Sequence, residues 1–226
     1  IGSNLYVLDP TEKFIALGKH GERIQGKEMM IENGTSYEIK KVPVADAEQN
    51  LIFRNEEIFL EGELLKGKGE IKVNGEAMKN ILYVSTNIKQ ENQKKLFESL
   101  VVSDFTNSDK VEVLNTPPID RDKTLEVQYA YGLNNKVTSF DNDLYIDIDW
   151  NKNFNNMKIE DDRMSDYYFN RKVKNKVTKK LNIPAGYRVS HVPTGIKKQH
   201  KDFSFEISFE QKGNALFYTN EIVISN

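Results

Sequence analysis

The chain has 226 residues, 38% of them hydrophobic and 29% charged, with 12 Phe and 10 Tyr. That is enough apolar mass for one large domain or two small ones, and it argues against disorder. Its 32 basic and 34 acidic residues leave a net charge of −2, which sets up no field to recruit nucleic acid or an anionic membrane, and the lack of cysteine excludes disulfides, thiolate metal sites and a cysteine nucleophile within these residues. No apolar run is long enough to span a bilayer as a helix. Position 1 is Ile rather than Met, so a fragment or a processed product is expected.

The run LYVLDPTEKFIALG at 5–18 predicts a strand near 4–8 that enters a turn at Asp9-Pro10-Thr11, because proline cannot donate to a ladder and holds the residue before it extended. Further strands are expected near 28–32, 36–42, 51–60 and 63–73. GELLKGKG at 62–69 has Gly62, Gly67 and Lys68 at the spacing of a phosphate loop. Gly69 stands where that loop needs a hydroxyl, and β-patterned sequence follows, so a glycine-rich hairpin turn is the better reading. Asn74-Gly75 predicts a tight turn, with 78–85 as the returning strand. NIKQENQKKLFESLV then changes period: Ile88, Leu96, Phe97, Leu100 and Val101 form one helical stripe.

NTPPIDRDK at 115–123 reads as a linker, since two prolines cannot sit inside a central strand. Strands follow near 110–115, 123–131, 143–149, 166–173, 176–182 and 187–192. In DNDLYIDIDW, Leu144, Ile146, Ile148 and Trp150 share an inner face, and Tyr145, Asp147 and Asp149 an outer one. The acidic set lacks the central Gly and terminal Glu of a calcium loop. RKVKNKVTKK places Lys172, Lys174, Lys176 and Lys180 on one face, a pattern that protects sheet edges. His20, His191 and His200 have no metal-ligand spacing, and no serine elbow is present. At the C-terminal end, Phe203, Phe205, Ile207 and Phe209 alternate with polar residues at 203–210, and 215–224 supplies the returning strand with Ala215, Phe217, Ile222 and Ile224. The expected fold is all-β: an antiparallel β-sandwich with one amphipathic helix.

YVLDPTEKFIALGKHGERIQGKEMMI resembles the end of a bacterial transglutaminase-like domain, a papain-related cysteine enzyme fold. The resemblance implies that Asp9 is the carboxylate of a Cys-His-Asp triad whose Cys and His lie upstream. Alone it is inactive, because the thiolate, the imidazole and the carboxylate act as a unit. NEEIFLEGELLKGKGEIKVNGEAMKNI is similar to the opening of the β-rich region of uncharacterised function that follows such domains in Bacteroidetes-type proteins. LNIPAGYRVSHVPTGIKKQHKDFSFEISFEQKGNALFYTNEIVI, with Pro184, Gly186, Tyr187, Val192 and Pro193, is similar to its ending. By this resemblance 1–25 is the terminal strand and exit loop of the transglutaminase-like domain. Residues 26–226 are then the β-sandwich region, with 115–123 the point at which it would divide.

The function expected is that of a non-catalytic accessory module, with the upstream domain as partner and, by resemblance alone, a periplasmic or extracellular location. No cofactor, metal, nucleic acid or membrane span is expected. The alternative is a module binding glycan or peptide through exposed aromatics, Tyr145, Tyr167 and Tyr168. In a strand Tyr168 would point outward beside the lysine-rich strand, with Tyr167 and Phe169 inside. An enzyme in its own right would need a nucleophile and base that the sequence does not offer.

Overall fold

The computed structural model describes residues 7–102, 110–150, 160, 162–165, 169 and 171–225. Residues 7–27 are a succession of turns without a strand; the strand expected near 4–8 falls mostly outside the described residues. The first hairpin, β1 (Glu28–Asn33) and β2 (Ser36–Lys41), pairs with no other strand among the described residues. Eight strands then form one mixed sheet in the order β10-β11-β12-β9-β3-β4-β6-β5. These are β3 (Leu51–Glu61), β4 (Leu64–Val73), β5 (Lys110–Val113), β6 (Leu125–Leu133), β9 (Val173–Asn182), β10 (Ile196–Gln199), β11 (Phe203–Lys212) and β12 (Ala215–Ile224). A small hairpin, β7 (Val137–Phe140) with β8 (Asp143–Ile146), completes the described strands.

The chain is mostly β, as expected, but the two packed antiparallel sheets are replaced by this single mixed sheet. Its one parallel pair among the described residues is β3 with β9, which aligns Leu51–Ile58 with Lys174–Leu181. No local pattern encodes that pairing, because the partners are more than a hundred residues apart and alternation reads the same in either direction. Residues 115–123 connect β5 to its sheet neighbour β6.

Two α-helices are present among the described residues where one was expected. α2 (Gln90–Val102) is the anticipated one, with Phe97 and Val101 fully buried. α1 (Gly75–Asn87) replaces the strand expected at 78–85. The β-branched and aromatic run Ile81–Val84 reads locally as strand, but Met78, Leu82 and Ser85 are buried at helical spacing, and burial of that stripe decides. Gly75 has φ +63° and lies against the Asn50 side chain, whose Oδ1 accepts the Glu76 N–H at 3.1 Å. Asn74-Gly75 thus opens a helix rather than a hairpin. The strand expected at 187–192 is also absent; the chain there is irregular and the next strand is β10.

One face of the sheet carries the core. Ile58, Leu65, Ile71, Val73, Val127 and Leu133 cluster with Leu82, Phe97 and Val101 from the helices and with Phe14, Ile148 and Trp150 from the flanking segments. Each fully buried aliphatic or Phe side chain contributes about 1.5–3 kcal/mol. The opposite face is solvated and carries cross-strand ion pairs: Lys180 with Glu57 at 2.7 Å, Lys176 with Glu221 at 3.2 Å and Lys72 with Glu126 at 3.2 Å. The lysine-rich strand is β9, at the centre of the sheet rather than at its edge, and its lysines answer glutamates on both neighbours.

Gly67 and Gly69 are not turn residues. They lie inside β4, opposite Tyr131 and Tyr129 of β6, whose rings fold across the strand where side chains would otherwise stand. A Cβ on Gly69 would sit 2.6 Å from Cζ of Tyr129, and one on Gly67 would be closer still to the Tyr131 ring. Replacing either glycine by Ala is expected to destabilise the protein by about 1–3 kcal/mol or more through overpacking, although Ala in an open strand position would stabilise it. Lys68→Ala, on the solvated face, is expected to change stability by no more than about 0.5 kcal/mol. Urea unfolding of the three variants checks this, and equal effects would mean that the rings do not cross β4.

Candidate functional site

Asp9 is held by a short-range turn. Its Oδ1 accepts the Thr11 N–H at 3.1 Å and the Thr11 hydroxyl at 2.6 Å, the geometry Asp favours before a turn. The Thr11 hydroxyl bond holds the carboxyl below its ordinary value, with burial opposing. The Asp9 side chain is only 4% exposed, and its Oδ2, 3.6 Å from Arg23 Nη2, has no hydrogen-bond partner. Arg23 also bonds the Thr11 hydroxyl and lies 3.8 Å from Glu12, which pairs with Lys79 of α1 at 3.5 Å. Lys79 in turn meets Glu76 at 2.6 Å, and Glu76 accepts the Glu22 N–H at 2.7 Å. A chain of alternating charges thus ties the turns of 9–23 to the start of α1.

His20 does not meet Asp9. It lines a cavity of about 990 Å³ between residues 14–20, the segment 43–50 and the start of α1, and its Nδ1 is buried without a partner. His200 stacks on Phe203 and pairs with Asp202, and His191 lies on the segment after β9. Among the described residues no group of three or more His, Asp or Glu is arranged to hold a metal ion. No described helix is long and apolar enough to cross a membrane.

The expected aromatic surface is only partly described. Tyr145 lies on β8 and is 59% exposed, as the alternation of that strand requires. Tyr167 and Tyr168 lie outside the described residues. Phe169, expected inside, is exposed and belongs to no strand. Asp149 does not simply face water: it accepts the hydroxyl of Tyr218.

The most unusual chemistry was not anticipated. A single cross-strand row on the core face runs Tyr129, Gly69, Glu56, Lys179, Tyr218, Phe209, one residue from each of six adjacent strands. Glu56 and Lys179 are neighbours on the parallel pair, and both are buried, Lys179 at 1% exposure. The Tyr129 hydroxyl donates to Glu56 Oε1 at 2.6 Å and the Tyr131 hydroxyl to Oε2 at 3.1 Å. Arg54, in the adjacent row, donates to the Tyr129 oxygen at 3.1 Å and lies 3.9 Å from Glu56. Lys179 Nζ donates to the Ile148 carbonyl at 2.7 Å and sits 3.3 Å from the Trp150 ring centre. A cation over an indole face is favourable, the more so away from water.

Two signals in the sequence point to this row. Lys179 falls between Val177 and Leu181 on the inward parity of its strand, as Glu56 does between Ile52 and Ile58. Charges at core parity are expensive unless they meet one another. The second signal is the pair of patterns Gly-x-Gly and Tyr-x-Tyr, which interlock.

Burial depresses Lys179 to about 7, with Glu56 and Asp149 opposing the shift. Burial also raises Tyr129, Tyr131 and Tyr218 above their ordinary value, with Glu56 acting in the same sense on the first two. Folded Lys179 thus titrates below the 10.5 of an unfolded lysine, and between those values the unfolded chain binds the extra proton. Stability should therefore rise with pH from about 7 towards 10, by at most about 1.4 kcal/mol per unit from this group. Above about pH 10 the tyrosines reverse the trend, because the folded state retains their protons. Below about 7 the ammonium is present in both states and the contribution is constant. In Lys179→Met the rise should vanish while the alkaline fall remains. Urea unfolding across this pH range checks it, and parallel wild-type and variant profiles would refute it.

A model of a family described as a domain of unknown function with a solved structure (DUF3858) matches residues 142–226. No curated protein and no solved structure matches the chain. The matched segment contains β9 to β12, the Asp149–Trp150 cover and Lys179. It is similar to that family over this stretch.

Proposed function

We propose that this chain is a non-catalytic accessory module that follows a transglutaminase-like domain in a bacterial, Bacteroidetes-type protein working in the periplasm or outside the cell. The observation that carries the proposal is the state of Asp9: one carboxylate oxygen is fixed by Thr11, and the other is buried without a donor. A pre-oriented carboxylate with one oxygen that makes no hydrogen bond, here with only the Arg23 guanidinium 3.6 Å away, is what a catalytic triad uses to hold an imidazole N–H. Its partner histidine and the thiolate would come from the preceding domain.

The rest of the molecule supports a module rather than a free-standing enzyme. The buried ionisable groups of the sheet are engaged with one another and closed to substrate. The β1–β2 hairpin carries Met30, Tyr37 and Ile39 exposed on one face, and a hairpin of two strands has little stability of its own in water. That face suits a contact with the preceding domain. The alternative, a binding module for glycan or peptide, has Tyr145 as its described aromatic.

The purified chain is expected to show no amine incorporation and no peptide cleavage. In the full-length parent, Asp9→Asn should lower turnover by about 10⁴-fold, the cost of losing the orienting carboxylate of a triad. Turnover by the chain alone that disappears in Asp9→Ala, or a parent indifferent to Asp9→Asn, would overturn the proposal.

A further inference from the structure

The segment that follows β9 leaves the sheet and folds back over it. Ile183 is fixed to the β11–β12 turn by two bonds with Asn214, at 3.1 Å and 2.8 Å, and a turn closes from Pro184 to Tyr187 at 3.1 Å. Between this segment, the β7–β8 hairpin and the end of the sheet lies a recess of about 170 Å³. Its floor is apolar: Leu60, Leu144, Ile146, Leu181, Phe209 and Leu216. Its polar lining is Asp143, Tyr187, Arg188, Ser190 and His191. Arg188 and His191 have no hydrogen bond or ion pair among the described residues, although most other basic groups of the sheet do.

Size and chemistry together select an occupant. An apolar cavity of about 150 Å³ holds one benzene ring, so this floor takes a single aromatic or branched side chain and not an extended acyl chain. An unpaired guanidinium at the mouth presents two parallel donors, the arrangement that recognises a carboxylate. We propose that the recess binds the C-terminal residue of a peptide, with its apolar side chain on the floor and its carboxylate on Arg188. The site is formed almost wholly by residues 142–226 and does not depend on the parentage of Asp9.

The test uses N-acetylphenylalanine and its C-terminal amide, titrated into the chain by calorimetry. The emission of Trp150, the one tryptophan of the chain and two residues from pocket-lining Ile148, gives a second readout. Saturable binding of the acid is expected, weaker by about tenfold for the amide and for Arg188→Gln, as the loss of a charge-assisted hydrogen bond requires. Ser190→Phe, an exposed position that fills the mouth, should abolish binding without lowering the melting temperature. Absence of saturable binding by the acid would overturn the proposal. Equal binding of acid and amide, or indifference to Arg188→Gln, would overturn it as well.

Discussion

A glutamate and a lysine buried side by side on the parallel pair β3–β9 set the terms for the rest of the sheet. Taking each charge out of water costs several kcal/mol, and mutual attraction offsets this only where the remaining lone pairs and protons also find partners. Here they do. Glu56 receives two tyrosine hydroxyls from β6, and Lys179 gives a proton to Ile148 and lies under Trp150. Those demands propagate outward. The tyrosines reach Glu56 only because β4, which lies between, carries glycine at both crossing points. The lysine is covered only because residues 147–150 continue from β8 across the sheet. A loss at any point leaves a buried charge with an incomplete shell.

The same row explains why the two halves of the sheet join in one register. Strands β3 to β6 belong to the first part of the chain, and β9 to β12 to the last. Their seam is the parallel pair β3–β9. A slip of one residue along a seam turns every side chain to the other face. In this seam such a slip would set Glu56 beside Thr178 or Lys180 and put Glu56 and Lys179 on opposite faces, so that one of the two turns to solvent. A slip of two residues would keep the faces but set Glu56 beside Val177 or Leu181. Apolar residues alone would discriminate less sharply, since Val, Ile and Leu are nearly interchangeable as neighbours. Specifying register is the best-attested use of buried polar groups, and it fits a parallel pairing that no short turn enforces.

How much of this was legible in the sequence follows from which interactions are local. The β11–β12 hairpin was readable because alternation and a tight turn lie within 22 residues, and α2 because its stripe repeats within four turns. Even there the burial differed. Phe203 is exposed and Phe205 only half-buried, because β11 has just one short strand, β10, between it and the sheet edge. α1 was misread because Ile81–Val84 has strand propensity, and the burial that overrides it comes from the sheet. Asp9 was legible as a turn residue, and the burial of its second oxygen without a hydrogen bond was not. The charged row was hidden for a related reason. In β9 so many lysines are present that Lys179 reads as one more surface cation, and only parity sets it apart. The recess after β9 left no trace in the sequence, since its walls come from separate elements of the chain.

The boundary of the family match does not coincide with a boundary of the fold. It begins at residue 142, inside the turn that joins Phe140 of β7 to Asp143 of β8. It includes Lys179 and its cover, Ile148, Asp149 and Trp150, but excludes Glu56, Arg54, Tyr129 and Tyr131. Cut at that point, β9 would become an edge strand with a long unpaired ladder, and Lys179 would lose Glu56, the carboxylate that most favours its charged form, while keeping a low-dielectric cover. Open edges of that kind invite pairing with other chains. The matched segment therefore supplies every wall of the proposed recess except Leu60, and is incomplete as a sheet. In this chain β3 and β4 close that edge, and the glutamate they bring is the partner that the lysine of the matched segment requires.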